Sequence, residues 1–327
     1  MTQDKLGKEN IPPRIYHGLD CLFHVAQEKI PQNGEDSFCF GIAEDSVLLG
    51  VFDGCGGSGA KKYDAYQQKT GAYIGARAVS GAVQSWFETQ PHSWQCSDNA
   101  DALKQCILKS LAMCRNNSGS QGKSLLKGSI TKEFPTTAAV ARCVCLPEGI
   151  SVECYWTGDS RVYLLDEEGL AQLTADDLDG LDAFENISGD GVLTNVVSAS
   201  RDFTVHCGSL VRGKPFLVFS ATDGCFGYIP SPMEFEAFLL DTLHEADSMA
   251  AFEALLRKKL DEIAGDDFTL VGAAFGYGTF DAMKRSLEQR RKALLKTYIS
   301  RIDRADPNSR QRIWSCCKEK YYRYCMG

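Results

Sequence analysis

Val47-Leu48-Leu49-Gly50-Val51-Phe52-Asp53-Gly54-Cys55-Gly56-Gly57 decides how this chain is read. An apolar, strand-like run stops at an acid, and the glycines that follow let backbone approach closely. Two further runs share the design. Phe216-Leu217-Val218-Phe219 leads towards Asp223-Gly224, and Asp266-Asp267 leads out into Phe268-Thr269-Leu270-Val271. If these strands lie side by side, three carboxylates meet at one rim of a sheet. Carboxylate oxygens are the hard ligands that Mg²⁺ and Mn²⁺ prefer, and a cluster of them without such a cation repels itself. The expectation is a divalent-metal enzyme.

Working outward, alternation and β-branched content predict a hairpin of Ser37–Ile42 and Val47–Phe52 across the acidic turn Glu44-Asp45-Ser46. Helical spacing is read over Ala60–Phe87 (Tyr66, Tyr73, Ile74, Val83, Phe87) and Ala100–Cys114 (Leu103, Cys106, Ile107, Leu111), followed by a Gly/Ser loop at 118–123. Thr137–Cys145, Ile150–Thr157 and Arg161–Leu165 read as an antiparallel meander. Residues 174–200 are acidic and Gly-dotted, a long excursion expected beside the site. Strands near Phe203–Cys207 and Phe216–Ala221, helices near Pro232–Leu243 and Ser248–Ile263, and a strand Phe268–Phe275 complete the order. Strands and helices in blocks fit an α+β fold better than a repeating βαβ chain.

At 327 residues, 44% hydrophobic and 24% charged, the composition is that of a soluble globular chain with length enough for a core. The net charge of −8 hides an asymmetry: residues 277–327 carry 13 Lys and Arg against 5 Asp and Glu, a net of +8, which leaves −16 on residues 1–276. We therefore divide the chain into a catalytic domain, 1–276, and a basic helical extension, 277–327. In the extension Met283, Leu287, Leu294, Leu295, Tyr298, Ile299 and Ile302 form an apolar stripe, Asp306-Pro307-Asn308 breaks it, and Trp314, Tyr321 and Tyr322 begin a second. Apolar residues interleaved with the charges point to helices packing on the body or on a protein partner, not to a nucleic-acid arm. The first ~12 residues read as a loose arm. No run approaches the ~18 apolar residues of a membrane span, and no apolar leader is present, so a cytoplasmic protein is expected. The 14 cysteines include no Cys-x-x-Cys pair, which argues for reduced thiols and against structural zinc.

Asn33-Gly34-Glu35-Asp36-Ser37, Asp53-Gly54-Cys55-Gly56-Gly57, Thr136-Thr137-Ala138, Gly158-Asp159-Ser160-Arg161, Ala221-Thr222-Asp223-Gly224 and Asp266-Asp267-Phe268-Thr269 follow one another in this order. Together they resemble the ordered motifs of the metal-dependent Ser/Thr phosphatases, the PPM family or protein phosphatase type 2C. The resemblance implies an antiparallel β-sandwich flanked by helices (α-β-β-α) with metals in a channel at one edge. It implies two Mg²⁺ or Mn²⁺ ions and hydrolysis of phosphoserine and phosphothreonine in phosphoproteins by a hydroxide bridging them. Asp53 and the Gly54 carbonyl would lie between the ions, Asp223 and Asp266 would complete the first, and Glu35 and Asp36 would hold metal-bound waters or the second. Asp159 is either a turn-stabilising side chain or the ligand of an additional, weaker ion. Arg161 is expected in a structural ion pair.

Three positions depart from the family pattern. Cys55 stands where the family has a histidine proposed as general acid, and is either a proton donor, an oxidation-sensitive thiol or a space-filling side chain. Pro31 stands where an arginine clamps the substrate phosphate, leaving Lys29 as the nearest cation. Gly227 stands where a further Asp is usual. These departures keep open a rival reading, a catalytically weak or inactive relative serving as a phosphoprotein sensor or scaffold. Other chemistries are not indicated. The Cys317 to Arg323 stretch lacks the glycines of a phosphate-cradling loop, no Gly-x-Ser-x-Gly elbow follows a strand, and Gly122-Lys123-Ser124 lacks the earlier glycine of a Walker motif.

Overall fold

The structure, a computed structural model, describes residues 18–89, 95–119, 132–179, 184, 192–303, 305–306 and 308–323. The expected arm at 1–12, most of the Gly/Ser loop and the middle of the 174–200 excursion lie outside the described residues. Ser46–Phe52 (β3) is buried at every position. Val47, Leu49 and Val51 pack with Val162, Leu164, Val218 and Val271. Leu48 and Phe52 pack on the other face with Val79, Val83 and Trp86. A strand covered on both faces has no use for polar alternation, which is why this run reads as continuously apolar. Burying each such side chain is worth roughly 1.5–3 kcal/mol.

One five-stranded antiparallel sheet is built from Ser37–Ile42 (β2), β3, Ala138–Leu146 (β6), Gly149–Thr157 (β7) and His206–Arg212 (β10), in the order β10-β7-β6-β3-β2. A second is built from Leu19–Gln27 (β1), Arg161–Asp166 (β8), Gly169–Gln172 (β9), Phe216–Ala221 (β11) and Phe268–Phe275 (β12), in the order β1-β12-β11-β8-β9. Helices Gly71–Thr89 (α1) and Cys96–Asn117 (α2) bury Val79, Trp86, Leu103 and Ile107 against the first sheet. Pro232–Glu245 (α3) and Met249–Asp261 (α4) bury Met233, Leu240 and Leu256 with Phe219 and Tyr163 of the second. The result is the expected helix-sheet-sheet-helix layering.

The sequence misplaced several boundaries. The helix expected from Ala60 starts only at Gly71. Before it lies a small hairpin of Lys62–Tyr63 (β4) and Lys69–Thr70 (β5), closed by Gln68 N–H to the Tyr63 carbonyl at 3.1 Å. Gln67 and Gln68 adopt φ of 54° and 63°, which no α-helix accommodates. The strand expected at Phe203–Cys207 begins at His206 and runs to Arg212, because its register with β7 starts at the His206–Trp156 pair. β1 and β9, at the sheet edges, have no counterpart among the strands expected from the sequence.

In the basic segment, Phe280–Thr297 (α5) and Ser309–Cys317 (α6) bury Met283, Leu287, Leu294, Trp314 and Cys317 in the cluster that contains Phe219. Its arginines answer acids of the body. Arg290 Nε and Nη2 reach Glu236 at 2.6 and 2.7 Å, Arg291 reaches Asp241 at 2.9 Å, and Arg310 reaches Glu234 at 2.9 Å. Among the described residues no helix is long and apolar enough to cross a membrane.

Candidate metal centre

Asp53 sits at the end of β3 and is clamped through its backbone. Its N–H donates to Thr137 Oγ1 at 3.2 Å, and its carbonyl accepts from Thr137 N–H at 2.8 Å and Thr136 Oγ1 at 2.7 Å. Cys55 N–H donates to the Pro135 carbonyl at 3.2 Å, so the Gly-Gly loop starts from a fixed point. This gives Thr136-Thr137 its physical role. Asp223 opens a 3-10 turn after β11, and Thr222 N–H donates to the Thr269 carbonyl at 2.9 Å, tying that turn to the start of β12. Asp266 and Asp267, adjacent in sequence, diverge. Asp267 accepts the N–H groups of Lys29 and Glu35, both at 2.7 Å, and so staples the loop before β2, whereas Asp266 lines the cavity. Asp159 lies in the turn between β7 and β8, where Gly158 has φ of +95°, a backbone reserved in practice for glycine. Gly158 N–H donates to Asp177 Oδ2 at 2.9 Å, which holds that turn from the far side.

Asp53, Gly54, Cys55, Asp159, Asp223 and Asp266 thus line one cavity of about 650 Å³, together with Lys132, Arg201, Val192 and Leu193. Asp53, Asp223 and Asp266, from three separate strand ends, face this same cavity. Glu35 faces an adjoining cavity of about 430 Å³ that Asp266 also lines, and its carboxylate accepts the Thr70 hydroxyl. Asp36 accepts Thr222 Oγ1 at 2.9 Å and so sits beside the Asp223 turn. Lys29 lines the adjoining cavity and gives its ammonium to the Ala264 carbonyl at 2.7 Å.

Burial first, then the carboxylates of Asp223, Asp36, Asp159 and Asp266, push the Asp53 carboxyl well above its ordinary range. Burial and neighbouring acids raise Asp223 as well, and push Asp36 and Asp159 up to about 7. Burial first, and then the Asp53 carboxylate, raise the Cys55 thiol. Among the described residues no three His, Cys, Asp or Glu side chains already close on a common point. Asp159 Oδ1 is nevertheless buried without a hydrogen-bond partner, and a buried unpaired carboxylate oxygen is expensive. An all-oxygen donor set, mutual repulsion and one orphaned oxygen fit a hard divalent cation.

Arg161 does not enter the cavity lining. Its Nε and Nη2 form a bidentate pair with Asp176 at 2.9 and 2.6 Å, and Nη1 donates to Tyr163 Oη at 2.9 Å. At Gly227 an added Cβ would lie 2.9 Å from the Asp223 carbonyl oxygen, so no acid fits there without displacing the turn. Lys132, Arg201, Asp176 and Asp177 are the polar groups that sequence reasoning missed. Lys132 is held by its N–H bond to the Ser58 carbonyl, Asp176 by its pair with Arg161 and Asp177 by the Gly158 N–H, and none carries a local motif.

No protein-family model and no curated relative matches the sequence. The fold matches solved structures. It is similar to the serine/threonine phosphatase PstP/Ppp of Mycobacterium tuberculosis, 18% identical with 77% of this chain and 98% of that chain covered, at a TM-score of 0.54. It is similar to the serine/threonine phosphatase Stp1 of Staphylococcus aureus, 17% identical over 79% and 95%, at 0.58. It is also similar to the catalytic domain of the protein phosphatase PstP in complex with two manganese ions, 15% identical over 78% and 98%, at 0.52. The chain has the α-β-β-α fold of the PPM-type serine/threonine phosphatases.

Proposed function

We propose that this chain is a phosphoprotein phosphatase that hydrolyses phosphoserine and phosphothreonine with the help of Mg²⁺ or Mn²⁺. The observation that carries this is the convergence of Asp53, Asp159, Asp223 and Asp266 on one cavity, with an unpartnered Asp159 oxygen and with the Asp53, Asp159 and Asp223 carboxyls raised by burial and by neighbouring acids. Asp53, Asp223 and Asp266 would hold a first cation, and Asp53 with the Gly54 carbonyl, Glu35 and Asp36 a second, directly or through water. Asp159 would serve an additional ion. Bound cations would supply an acidified water and neutralise phosphoryl oxygens. The protein's own part is placement. Thr136 and Thr137 fix where Asp53 points, Thr222 fixes Asp36 against Asp223, and Asp267 fixes the loop that carries Glu35 and Lys29. Cys55, at the cavity wall, would give a proton to a departing alkoxide.

The test is hydrolysis of a phenyl phosphate ester and of phosphopeptides by the whole chain. Turnover that needs Mn²⁺ or Mg²⁺ and stops with a chelator is expected. Pro31, Cys55 and Gly227 favour a second reading, a sensor or scaffold. A chain that binds phosphopeptides but stays inactive with both metals would establish that one instead.

A further inference from the structure

We propose that Lys132 and Arg201 together form the subsite that grips the phosphoryl group of the substrate. The inference rests on the phosphatase reading of the acidic cavity and names the residues that hold its anion. Both side chains line that cavity, and among its described lining residues they are the cations. Their pairing is built by backbone. Lys132 N–H donates to the Ser58 carbonyl at 3.0 Å, in the loop that follows Asp53. Glu133 N–H donates to Ser200 Oγ at 3.1 Å, Ala199 N–H donates to the Glu133 carbonyl at 2.9 Å, and Ser198 Oγ donates to the same carbonyl at 3.1 Å. These bonds lay residues 132–133 along residues 198–200, so two positive side chains far apart in sequence become neighbours. Burial lowers the Lys132 ammonium, the Cys55 side chain opposes this, and the neighbouring Arg201 charge lowers it further.

Glu133, the acid next to Lys132 in the chain, is not its partner, being taken by Arg115 at 2.8 Å. Lys29, the cation closest in sequence to the Asp36 loop, is committed to the Ala264 carbonyl, and position 31 is proline. A phosphate dianion entering a cavity lined by four carboxylates needs positive charge beyond that which offsets the carboxylates. A planar guanidinium beside a point-charge ammonium supplies directional and non-directional contact to its oxygens.

The test measures binding of inorganic phosphate to the whole chain in saturating Mn²⁺ by calorimetry, for wild type, Lys132→Gln, Arg201→Gln, the double variant and Lys132→Arg. Mn²⁺ affinity without phosphate and thermal unfolding are followed in parallel. A charge-assisted contact removed from each single variant should weaken phosphate at least about tenfold. The double variant should weaken it further, Lys132→Arg should bind within about threefold of wild type, and Mn²⁺ affinity should stay within about twofold. Unchanged phosphate affinity in both Gln variants, or a wild type that binds no phosphate, overturns the subsite, and so does a loss fully matched by weaker Mn²⁺ binding. A wild type that binds phosphate through these residues but hydrolyses no phenyl phosphate sinks the hydrolase reading and leaves the subsite standing. Metal-dependent turnover with phosphate affinity indifferent to both residues does the reverse.

Discussion

Replacing Asp176 by Asn should unfold this protein more easily than replacing any of its exposed acids. The Arg161 and Asp176 side chains are each only 3% exposed, and the pair is bidentate at 2.9 and 2.6 Å. Asp176 Oδ1 also accepts Gln172 Nε2 at 2.9 Å, and the guanidinium lies 4.1 Å from the Phe226 ring centroid. In Asp176→Asn the oxygen facing Nη2 becomes an amide nitrogen, donor meets donor, and a buried positive charge loses its counter-ion. Breaking a buried pair from one side costs about 3–5 kcal/mol, which for a chain of this size is a fall in Tm of roughly 4–7 °C. Removing both charges together, as Arg161→Met with Asp176→Leu, takes away the stranded charge and should return stability to within about 1–2 kcal/mol of wild type. Guanidinium chloride and thermal unfolding of the three proteins decide the matter. A single variant that loses less than about 1 kcal/mol, or a double variant as weak as the single one, would refute the view that an uncompensated charge is what hurts.

Asp53→Ala and Asp223→Ala should each lose Mn²⁺ binding and turnover together, with activity below roughly one-hundredth of wild type, because even outer-shell partners of a metal cost 10–100-fold; near-normal turnover in either would contradict the assignment. Cys55→His should hold or raise activity, since it replaces a raised thiol by a better proton donor at neutral pH, and a large drop in kcat would assign the thiol a role of its own. Gly227→Asp should lower stability by about 1–3 kcal/mol without tightening Mn²⁺, because its Cβ meets the Asp223 carbonyl; unchanged Tm with tighter metal binding would overturn that. His206 is raised chiefly by its hydrogen bond to Asp177, 2.9 Å away, so its contribution is present below the unfolded histidine value and is lost as pH rises through the folded one. The stability difference between wild type and His206→Gln should therefore shrink on going from acid to alkaline buffer, and a difference that grows with pH would reverse the sign.

The central strands were legible because burial on both faces writes itself into composition. Ser46–Phe52, Phe216–Ala221 and Phe268–Phe275 have hardly a polar side chain, and their limits were found to within a residue. Edge strands β1 and β9 escaped notice because short or half-exposed segments mix polar and apolar residues. The expected helix starts too early, at Ala60, because Tyr66 stands at helical spacing from Tyr73, while the break depends on left-handed backbone at Gln67 and Gln68, which their side chains do not announce. The basic segment was read as helical and apolar on one side, yet only the folded chain pairs Arg290, Arg291 and Arg310 with Glu236, Asp241 and Glu234.

Sequence alone determined that acids stand at the ends of apolar strands, because strand limits and side-chain charge are local properties. Tertiary structure decided which of Asp266 and Asp267 opens into the cavity and which staples a loop. It also decided that Lys29 is spent on a carbonyl while Lys132 and Arg201 stand beside the acids. Such choices turn on hydrogen bonds between segments up to 238 positions apart, and no local pattern encodes which of two neighbouring side chains will find its partner first.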